Sequence, residues 1–436
     1  PSTEAFFARH NQPPTARQLC WDFVSSHYPS TSNTLTVHEC PTQGYCSYTL
    51  CISDSQIIQF RPGRHQLNTT LSLLAREVYG VLAPETRFLG VLPVPFDPTS
   101  GDDDHRPPPE PMFVYAMTCM PGISLTSFRL HPPASAGEVR LQRAILVRDF
   151  ARFLSLGWKS RQQKANLPFR GGRLAGSLRK RLEMMRDGLP LRFRPVVVDC
   201  LKDLEGIEGL PWVLTHGDVV GDNVMVEGAG DGGGSGGGGS RGTGWWPGTL
   251  RGMIDWAESE YLPFGVGLYG VEELFGQSVR RWDEEGKGEG VVDRFVYYPE
   301  AGDLRRLFWQ ELEGAVPPLA TDRGLRAAVE QARVLGILLW HGFAFDDGRI
   351  DRVVQEGRDE GEVQRLDMFL FGSDHPLARG DADSRVAAAA TAGEKDGAAR
   401  REGRKKPLVT VAEAGTEKEG GKGRGLLSRR ISKMIL

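Results

Sequence analysis

The chain has 436 residues, a formal net charge of −3, 40% hydrophobic residues and 25% charged residues. This length suits two or three structural units rather than one small core. The near-neutral charge excludes a global field that would favour nucleic acid or an anionic membrane, and no apolar run reaches the roughly eighteen residues of a membrane span.

Apolar residues at helical spacing predict a helix over 14–28, within an N-terminal helical extension of residues 1–33. Alternating apolar residues then predict strands, and one helix is predicted at 71–79. The predicted strands are 34–39, 45–52, 56–61, about 88–91, and 112–118. The order β-β-β-α-β-β describes a small sheet lobe over 34–121, which Met120-Pro121-Gly122 ends as a hinge.

After the hinge, the pattern predicts a mainly helical lobe over 122–375. Its predicted helices are 137–157, 173–186, 266–277, 303–314 and 323–342. A glycine-serine run at 228–244 interrupts a predicted hairpin and is expected to be disordered. The tail at 376–436 is basic and also expected to be disordered.

The six cysteines contain no C-x-x-C pair, which indicates neither a zinc site nor a disulfide framework. The first residues lack a basic and then apolar signal region. We therefore expect reduced thiols and a cytoplasmic protein. The cysteines are Cys20, Cys40, Cys46, Cys51, Cys119 and Cys200.

The segment His216-Gly217-Asp218, followed by Asn223, suits a phosphoryl-transfer loop. Asp218 can orient an attacking hydroxyl and take its proton, and Asn223 can reach a metal from the same loop. We include His216 among the candidate catalytic residues, although holding the loop by hydrogen bonds suits it better than taking part in the reaction. The alternative is an ordinary turn, where Gly, Asp and Asn are common.

Asp255 follows a predicted apolar strand, about thirty residues downstream. A carboxylate at that place is costly unless it is paired or binds a metal. The chain order Asp218, Asn223, Asp255 favours Mg²⁺ held by Asn223 and Asp255 against nucleotide phosphates. The alternative for Asp255 is a helix cap or an ion pair. Glu258 and Glu260 either attract a cationic substrate or are solvated.

The pattern LTHGDVVGDNVMV, followed by GMIDWAESEYLPFGVGLYGVEELFG, resembles the aminoglycoside phosphotransferase family in the version widespread in filamentous fungi. The resemblance covers about residues 34–373. It implies a two-lobed, protein-kinase-like α+β fold and ATP-dependent phosphorylation of a small-molecule hydroxyl. By match, Asp218 is the catalytic Asp, and Asn223 and Asp255 bind the metal.

The first lobe departs from the family pattern, which places a Lys on the third strand. Gln59 and Arg61 stand there and share one face of the strand, so Arg61 could supply the cation. Glu77 on the next helix would be its partner. The alternative for both strand residues is a solvent-exposed edge. Thr118 and Met120 occupy the place where the adenine of ATP would contact the segment between the lobes.

These patterns together predict a phosphotransferase that uses ATP and Mg²⁺ on a small-molecule hydroxyl, with no nucleic-acid partner and no membrane span. The alternative is a pseudokinase with the same fold, which binds a nucleotide or a protein partner with little or no catalysis. The missing Lys motivates that alternative. So does the loop Glu39–Tyr48, where Gly44 is the only glycine.

Overall fold

The computed structural model describes residues 3–28, 36–40, 43–53, 55–95, 108–169, 172–229, 245–282, 291–346 and 349–372. The predictions of disorder for 376–436 and for most of 228–244 fall outside these ranges. Within them, no helix is both long and apolar enough to cross a membrane.

Two helices, α1 (Thr3–Arg9) and α2 (Thr15–His27), lead into the first lobe. The lobe then runs β1 (Val37–Glu39), β2 (Tyr48–Ile52), β3 (Gln56–Pro62), α3 (Thr69–Tyr79), β4 (Thr86–Leu92) and β5 (Met112–Thr118). These strands form one antiparallel sheet in the order β1-β2-β3-β5-β4. The predicted order β-β-β-α-β-β is confirmed.

The leading helices α1 and α2 cover one face of this sheet. Phe6 of α1 and Cys20 of α2 are fully buried in one apolar cluster with Tyr48, Phe60 and Met112 of the strands. Burying a large apolar side chain contributes about 1.5–3 kcal/mol. The extension therefore completes the core of the first lobe.

Helix α3 joins the two lobes. The Asn68 side chain caps its first turn by accepting a hydrogen bond from Thr70 N at 3.1 Å. At the other end, the buried Tyr79 hydroxyl donates to the backbone oxygen of Leu214 in the second lobe. The Tyr79 ring also stacks on Phe153, with centroids 4.5 Å apart. These contacts fix α3 against the second lobe.

The second lobe is mainly helical. Its elements are β6 (Ile123–Ser124), α4 (Leu125–Arg129), α5 (Ala136–Lys159), α6 (Leu178–Gly188), α7 (Arg194–Glu208), β7 (Trp212–Thr215), β8 (Val224–Val226), β9 (Leu250–Met253), β10 (Glu260–Pro263), β11 (Gly276–Trp282), β12 (Val291–Tyr297), α8 (Ala301–Ala315), α9 (Pro317–Thr321), α10 (Arg323–His341), β13 (Phe343–Asp346), β14 (Arg349–Val353) and α11 (Glu360–Phe371). Its longer helices bury their apolar faces in one core. The predicted two-lobed α+β class, sheet-rich and then helical, is confirmed.

The prediction of a helix at 266–277 is confirmed only for its first part, and that helix is of the 3₁₀ type. The structure has a 3₁₀ segment, Val266–Leu274, followed directly by strand β11. Every residue of the 3₁₀ segment is buried, so the segment has no polar face. Gly267 packs against Thr215 and Gly270 against Val219, closely enough that a Cβ at either glycine would clash. Burial on all sides, rather than helical periodicity, explains its apolar pattern.

Short strand pairs carry the predicted site residues. Strand β7 pairs with β10, and β8 pairs with β9, both antiparallel. Residues 216–223 therefore form the loop between β7 and β8, and Asp255 lies just beyond the end of β9. This arrangement brings two segments together that are far apart in the chain.

Candidate active site

The loop between β7 and β8 closes on itself through Asp218 and Asn223. Both residues are buried. The Asn223 side-chain nitrogen donates to the backbone oxygen of Asp218 and to its Oδ2, each at 3.0 Å. A carboxylate that accepts a bond from a fixed neighbour has one preferred orientation. The pair predicted from spacing is therefore in direct contact.

His216 connects this loop to the segment that carries Asp255. Its Nε2 donates to the Ile254 backbone oxygen at 2.8 Å, and its Nδ1 accepts from Asp218 N at 3.2 Å. Burial lowers the pKa of His216 to about 4, so the ring is neutral near pH 7. Both ring nitrogens bond to backbone, which suits a positioning role rather than proton transfer.

Gly217 gives the loop a backbone path that other residues cannot take. Its φ is +80°, in the left-handed region. A Cβ at this position would lie 2.1 Å from the Glu258 backbone oxygen. The glycine of the His-Gly-Asp sequence is therefore required by both conformation and space.

Asp255 also has a left-handed backbone, with φ +59° and ψ +69°. This conformation is uncommon for a non-glycine residue and costs on the order of 1–3 kcal/mol. The preceding Ile254 N donates to the Asn223 backbone oxygen at 3.0 Å. Ile254 thus bonds to the other loop through both its backbone nitrogen and its backbone oxygen, which fixes the residue directly before Asp255.

The oxygen atoms of Asn223 and Asp255 fit a hard divalent cation. Asp255 Oδ1 is buried and makes no hydrogen bond to any described residue. Asn223 turns its nitrogen to Asp218, so its amide oxygen points away from that carboxylate. No group of three His, Cys, Asp or Glu residues in the described ranges could hold a metal. Mg²⁺ usually needs only one or two protein ligands beside phosphate and water.

Arg61 reaches into the cleft from β3. Its Nη1 lies 3.8 Å from Asp255 Oδ1 and donates to Gln59 Oε1 at 3.1 Å. Its Nε donates to the His65 backbone oxygen at 3.0 Å. Arg61 and Gln59 are both buried, so the alternative of a solvent-exposed strand edge is wrong.

Glu77 does not pair with Arg61, so its predicted role as the partner of that cation is wrong. Glu77 is exposed on α3, whereas Ser72 of the same helix lines the cleft. Ser72 and Glu77 are five positions apart, which places them on different sides of the helix. Arg61 instead faces Asp255 of the other lobe.

A cavity of about 440 Å³ lies between the lobes, next to Gln59 and Asp255. Gln59, Thr118, Met120 and Asp255 line it, as does Ser72. The volume and the mixed apolar and polar walls are those of a small-molecule or cofactor site. The predicted nucleotide-contacting residues of the connecting segment therefore face the same space as the predicted metal ligand.

The described part of the loop between β1 and β2 is fixed beside this cavity by a glutamine rather than by glycines. The Gln43 side chain donates to the backbone oxygens of Cys40 and Thr49 and accepts from Thr49 N at 2.8 Å. His10 of the segment after α1 bonds to the Tyr45 backbone oxygen at 2.6 Å. A search for glycines could not find these contacts, because they depend on a glutamine side chain.

Glu258 and Glu260 both have protein partners, so neither is simply solvated. Glu260 is buried and accepts hydrogen bonds from the backbone nitrogens of Leu174 and Ala175. Burial raises the pKa of Glu260. Glu258 forms an ion pair with Arg173 at 3.2 Å. These contacts fasten the 172–175 segment beside the loop between β7 and β8.

A larger cavity of about 1160 Å³ lies in the second lobe, and neither Asp218 nor Asp255 lines it. Its buried acid, Glu272, bonds to Arg333 at 2.8 Å and to Arg305 at 2.9 Å. Paired charges of this kind are typical of structural networks. We therefore centre the candidate site on the smaller cavity between the lobes.

No protein-family model and no curated protein matches the sequence. The structure is similar to the GDP and kanamycin complex of APH(2″)-IIIa, with 11% identity, a TM-score of 0.39, and coverage of 88% of this chain and 99% of that one. It is also similar to the streptomycin-ATP complex of APH(2″)-IIa, with 10% identity, a TM-score of 0.35, and coverage of 85% and 95%. A third similar structure is a macrolide 2′-phosphotransferase from Brachybacterium faecium. It has 16% identity and a TM-score of 0.36, and the match covers 73% of this chain and 98% of that one.

Proposed function

We propose that this protein transfers a phosphoryl group from ATP to a hydroxyl of a small molecule. The observation that carries the proposal is that Asn223 bonds both to Asp218 and to Ile254, which brings these residues beside Asp255 in the wall of the cavity between the lobes. Phosphoryl transfer needs little covalent chemistry from the protein, because positioning and charge stabilisation supply most of the rate. Two loops bonded to each other are suited to that task.

In this proposal, Asp218 orients the acceptor hydroxyl and receives its proton. Asn223 holds one oxygen of the Asp218 carboxylate, which gives that carboxylate a defined orientation. His216 keeps the two loops in register through the Ile254 backbone oxygen. The loss of a single positioning contact in such a site typically lowers the rate by orders of magnitude.

Asn223 and Asp255 would hold Mg²⁺, which would neutralise charge on the β- and γ-phosphates. Arg61 would supply a second positive charge, because its guanidinium lies 3.8 Å from the Asp255 carboxylate and has a fork geometry that matches phosphate oxygens. Thr118 and Met120 would contact the adenine. The six free cysteines fit a reducing compartment such as the cytoplasm.

A second candidate function is nucleotide binding without turnover. The contact between Arg61 and Asp255 favours it, since a guanidinium beside the metal ligand competes with a cation for the same oxygen. The exposed Glu77 also favours it, because nothing on α3 then holds Arg61 in a phosphate-binding position. The two candidates differ in whether bound ATP is consumed.

Thermal unfolding with Mg-ATP tests binding first. We expect Mg-ATP to raise the melting temperature of the native chain, by the linkage between ligand binding and folding. Asp255→Asn should lose the part of that shift that depends on Mg²⁺. Asp203→Asn, an exposed change on α7, is the matched control. An equal shift in Asp255→Asn would remove Asp255 from the metal site.

Consumption of ATP against a panel of aminoglycosides, sugars and amino alcohols then tests turnover. We expect at least one acceptor to accelerate the release of ADP from the native chain, and Asp218→Asn to abolish that acceleration. Binding of Mg-ATP with no acceptor-dependent release of ADP would favour the pseudokinase. Equal turnover by the native chain and Asp218→Asn would contradict the proposed role of Asp218.

A further inference from the structure

Three cysteines line the cavity between the lobes. Cys40 lies just beyond β1, Cys51 lies in β2, and Cys119 follows β5. The sulfur atoms of Cys40 and Cys51 are 2.6 Å apart, much closer than two independent thiols ordinarily approach. A disulfide bond requires about 2.05 Å between sulfurs, so a movement of a few tenths of an ångström would join them.

The strand register explains why these two side chains meet. Cys40 N donates to the Thr49 backbone oxygen, so Cys40 stands opposite Thr49. Cys51 is two residues further along β2, opposite His38. Side chains two positions apart on a strand share a face, and diagonal neighbours on paired strands are within contact range. The pairing of β1 with β2 therefore builds the thiol pair into the fold.

We propose that Cys40 and Cys51 are a reversible disulfide site in the wall of the nucleotide cleft, with glutathione disulfide as the oxidant. The thiolate of Cys51 attacks one sulfur of glutathione disulfide, which forms a mixed disulfide and releases one glutathione. Cys40 then loses its proton, attacks the Cys51 sulfur, and expels the second glutathione. Two electrons pass to the oxidant, and the two cysteine protons end on the two glutathione thiols.

The contact between the two thiols favours this order of attack. The hydrogen bond from Cys40 lowers the pKa of Cys51, whereas the pKa of Cys40 is raised. A thiolate is the attacking species, so Cys51 is the better first nucleophile. Burial raises the pKa of Cys46, which lies on the same loop, to about 11. Cys46 should therefore be a poorer nucleophile than Cys51 and serves as the comparison residue.

The effect of the disulfide on ligand exchange rests on the proposed nucleotide site. A bond between Cys40 and Cys51 would crosslink two cavity-lining residues on neighbouring strands, beside the contacts that Gln43 makes with Cys40 and Thr49. Movement of the segments around a site commonly limits the exchange of a bound ligand. The oxidised protein should therefore release a fluorescent ATP analogue severalfold more slowly than the reduced protein.

The site itself can be tested without any nucleotide. The full chain is equilibrated with reduced and oxidised glutathione, quenched with acid, unfolded and alkylated, and its thiols are mapped by mass spectrometry. We expect one crosslink between the peptides of Cys40 and Cys51, reversed by excess reduced glutathione. Cys40→Ser and Cys51→Ser should abolish it, whereas Cys46→Ser and Cys119→Ser should retain it.

The outcomes separate this inference from the proposed function. A persistent glutathione adduct without a crosslink, or a crosslink to Cys119 or Cys46, would overturn the disulfide site whatever the protein does with ATP. A Cys40–Cys51 crosslink that leaves release of the analogue unchanged would overturn the control of exchange. If the reduced protein binds no analogue, the proposed function fails, while the mapped crosslink still supports the disulfide site.

Discussion

In the second lobe, the proposed site residues belong to two loops whose backbones are bonded to each other. In the first lobe, they are side chains on strands. Asp218, Asn223 and Asp255 are held through His216 and the Ile254 backbone. Arg61, by contrast, is held by one backbone oxygen and one neutral amide. A backbone network fixes atoms more tightly than a long side chain can, since each rotatable bond must be ordered.

The difference suggests how the two halves divide the work. Under the proposed function, the second lobe would fix the acceptor, the metal ligands and the place of transfer. The first lobe would supply a cation, whose chemistry can differ provided that charge and shape are kept. Substitutions in the second lobe should therefore affect turnover, and those in the first lobe should affect affinity for nucleotide. The predictions below test that division, from the largest expected effect to the smallest.

Asp218→Asn should give the largest effect. The amide keeps the shape of the carboxylate, and its oxygen can still accept from Asn223, but it cannot take a proton. We expect kcat with an active acceptor to fall by about 10²- to 10⁴-fold, as for the loss of a general base. The affinity for Mg-ATP should change little. Steady-state kinetics and calorimetry on the same preparation check both parts.

Arg61→Gln should weaken ATP binding through the first lobe. The change removes a charged partner of the phosphates, so we expect Kd for ATP to rise by about 10- to 100-fold, from about 1.5–3 kcal/mol for a charge-assisted hydrogen bond. Arg61→Lys keeps the charge and should recover part of the affinity. Tighter binding by Arg61→Gln would instead mean that Arg61 occupies the metal site and would favour the pseudokinase.

The contact between Asp218 and Asn223 in the second lobe was easier to expect from the sequence than the contacts of Arg61 in the first lobe. Asp218, Asn223 and Asp255 depend on loops whose residue types are dictated by backbone conformation, as Gly217 with its φ of +80° shows. Such requirements leave a readable pattern. Which side of α3 faces the cleft depends on tertiary packing, which the sequence does not encode locally. That is why Glu77 was predicted to face Arg61 and Ser72 was missed.

The cysteine pair and the Gln43 contacts were missed for a related reason. Cys40 and Cys51 are eleven residues apart, and only the register of β1 against β2 brings their sulfurs together. A shift of register by one residue would turn one of the two to the other face. Spacing rules for cysteine detect metal and redox motifs that lie within a few residues, so a pair across a hairpin does not match them.

His216→Gln tests whether the loops of the second lobe are held by a neutral ring. Burial lowers the pKa of His216 from its ordinary 6.5 to about 4. Its contribution to stability is therefore fully present above pH 6.5 and is lost as the pH falls towards 4. About 2 kcal/mol should be lost by pH 5. The difference in unfolding free energy between the native chain and His216→Gln should shrink by that amount between pH 7.5 and pH 5.

His10 and His65 titrate in the same window, because burial lowers the pKa of His10 to about 4 and that of His65 to about 3. Both remain in His216→Gln, so their contribution cancels in the comparison with the native chain. A difference in unfolding free energy that stays constant from pH 7.5 to pH 5 would mean that His216 is charged in the folded protein. The description of His216 as a neutral ring that positions the two loops would then be wrong.

Glu77→Gln should have the smallest effect. Glu77 is exposed on α3 and makes no ion pair with any described residue, so we expect stability to change by no more than about 0.5 kcal/mol. Affinity for ATP should stay within the error of measurement, in contrast to Arg61→Gln. If Glu77→Gln weakened ATP binding as much as Arg61→Gln does, α3 would have to rotate when nucleotide binds. Tyr79 stands against that rotation, since its hydroxyl is bonded to the Leu214 backbone and its ring is stacked on Phe153. Measuring Glu77→Gln together with Tyr79→Phe would therefore show whether α3 is fixed in its place or turns to bring Glu77 to Arg61.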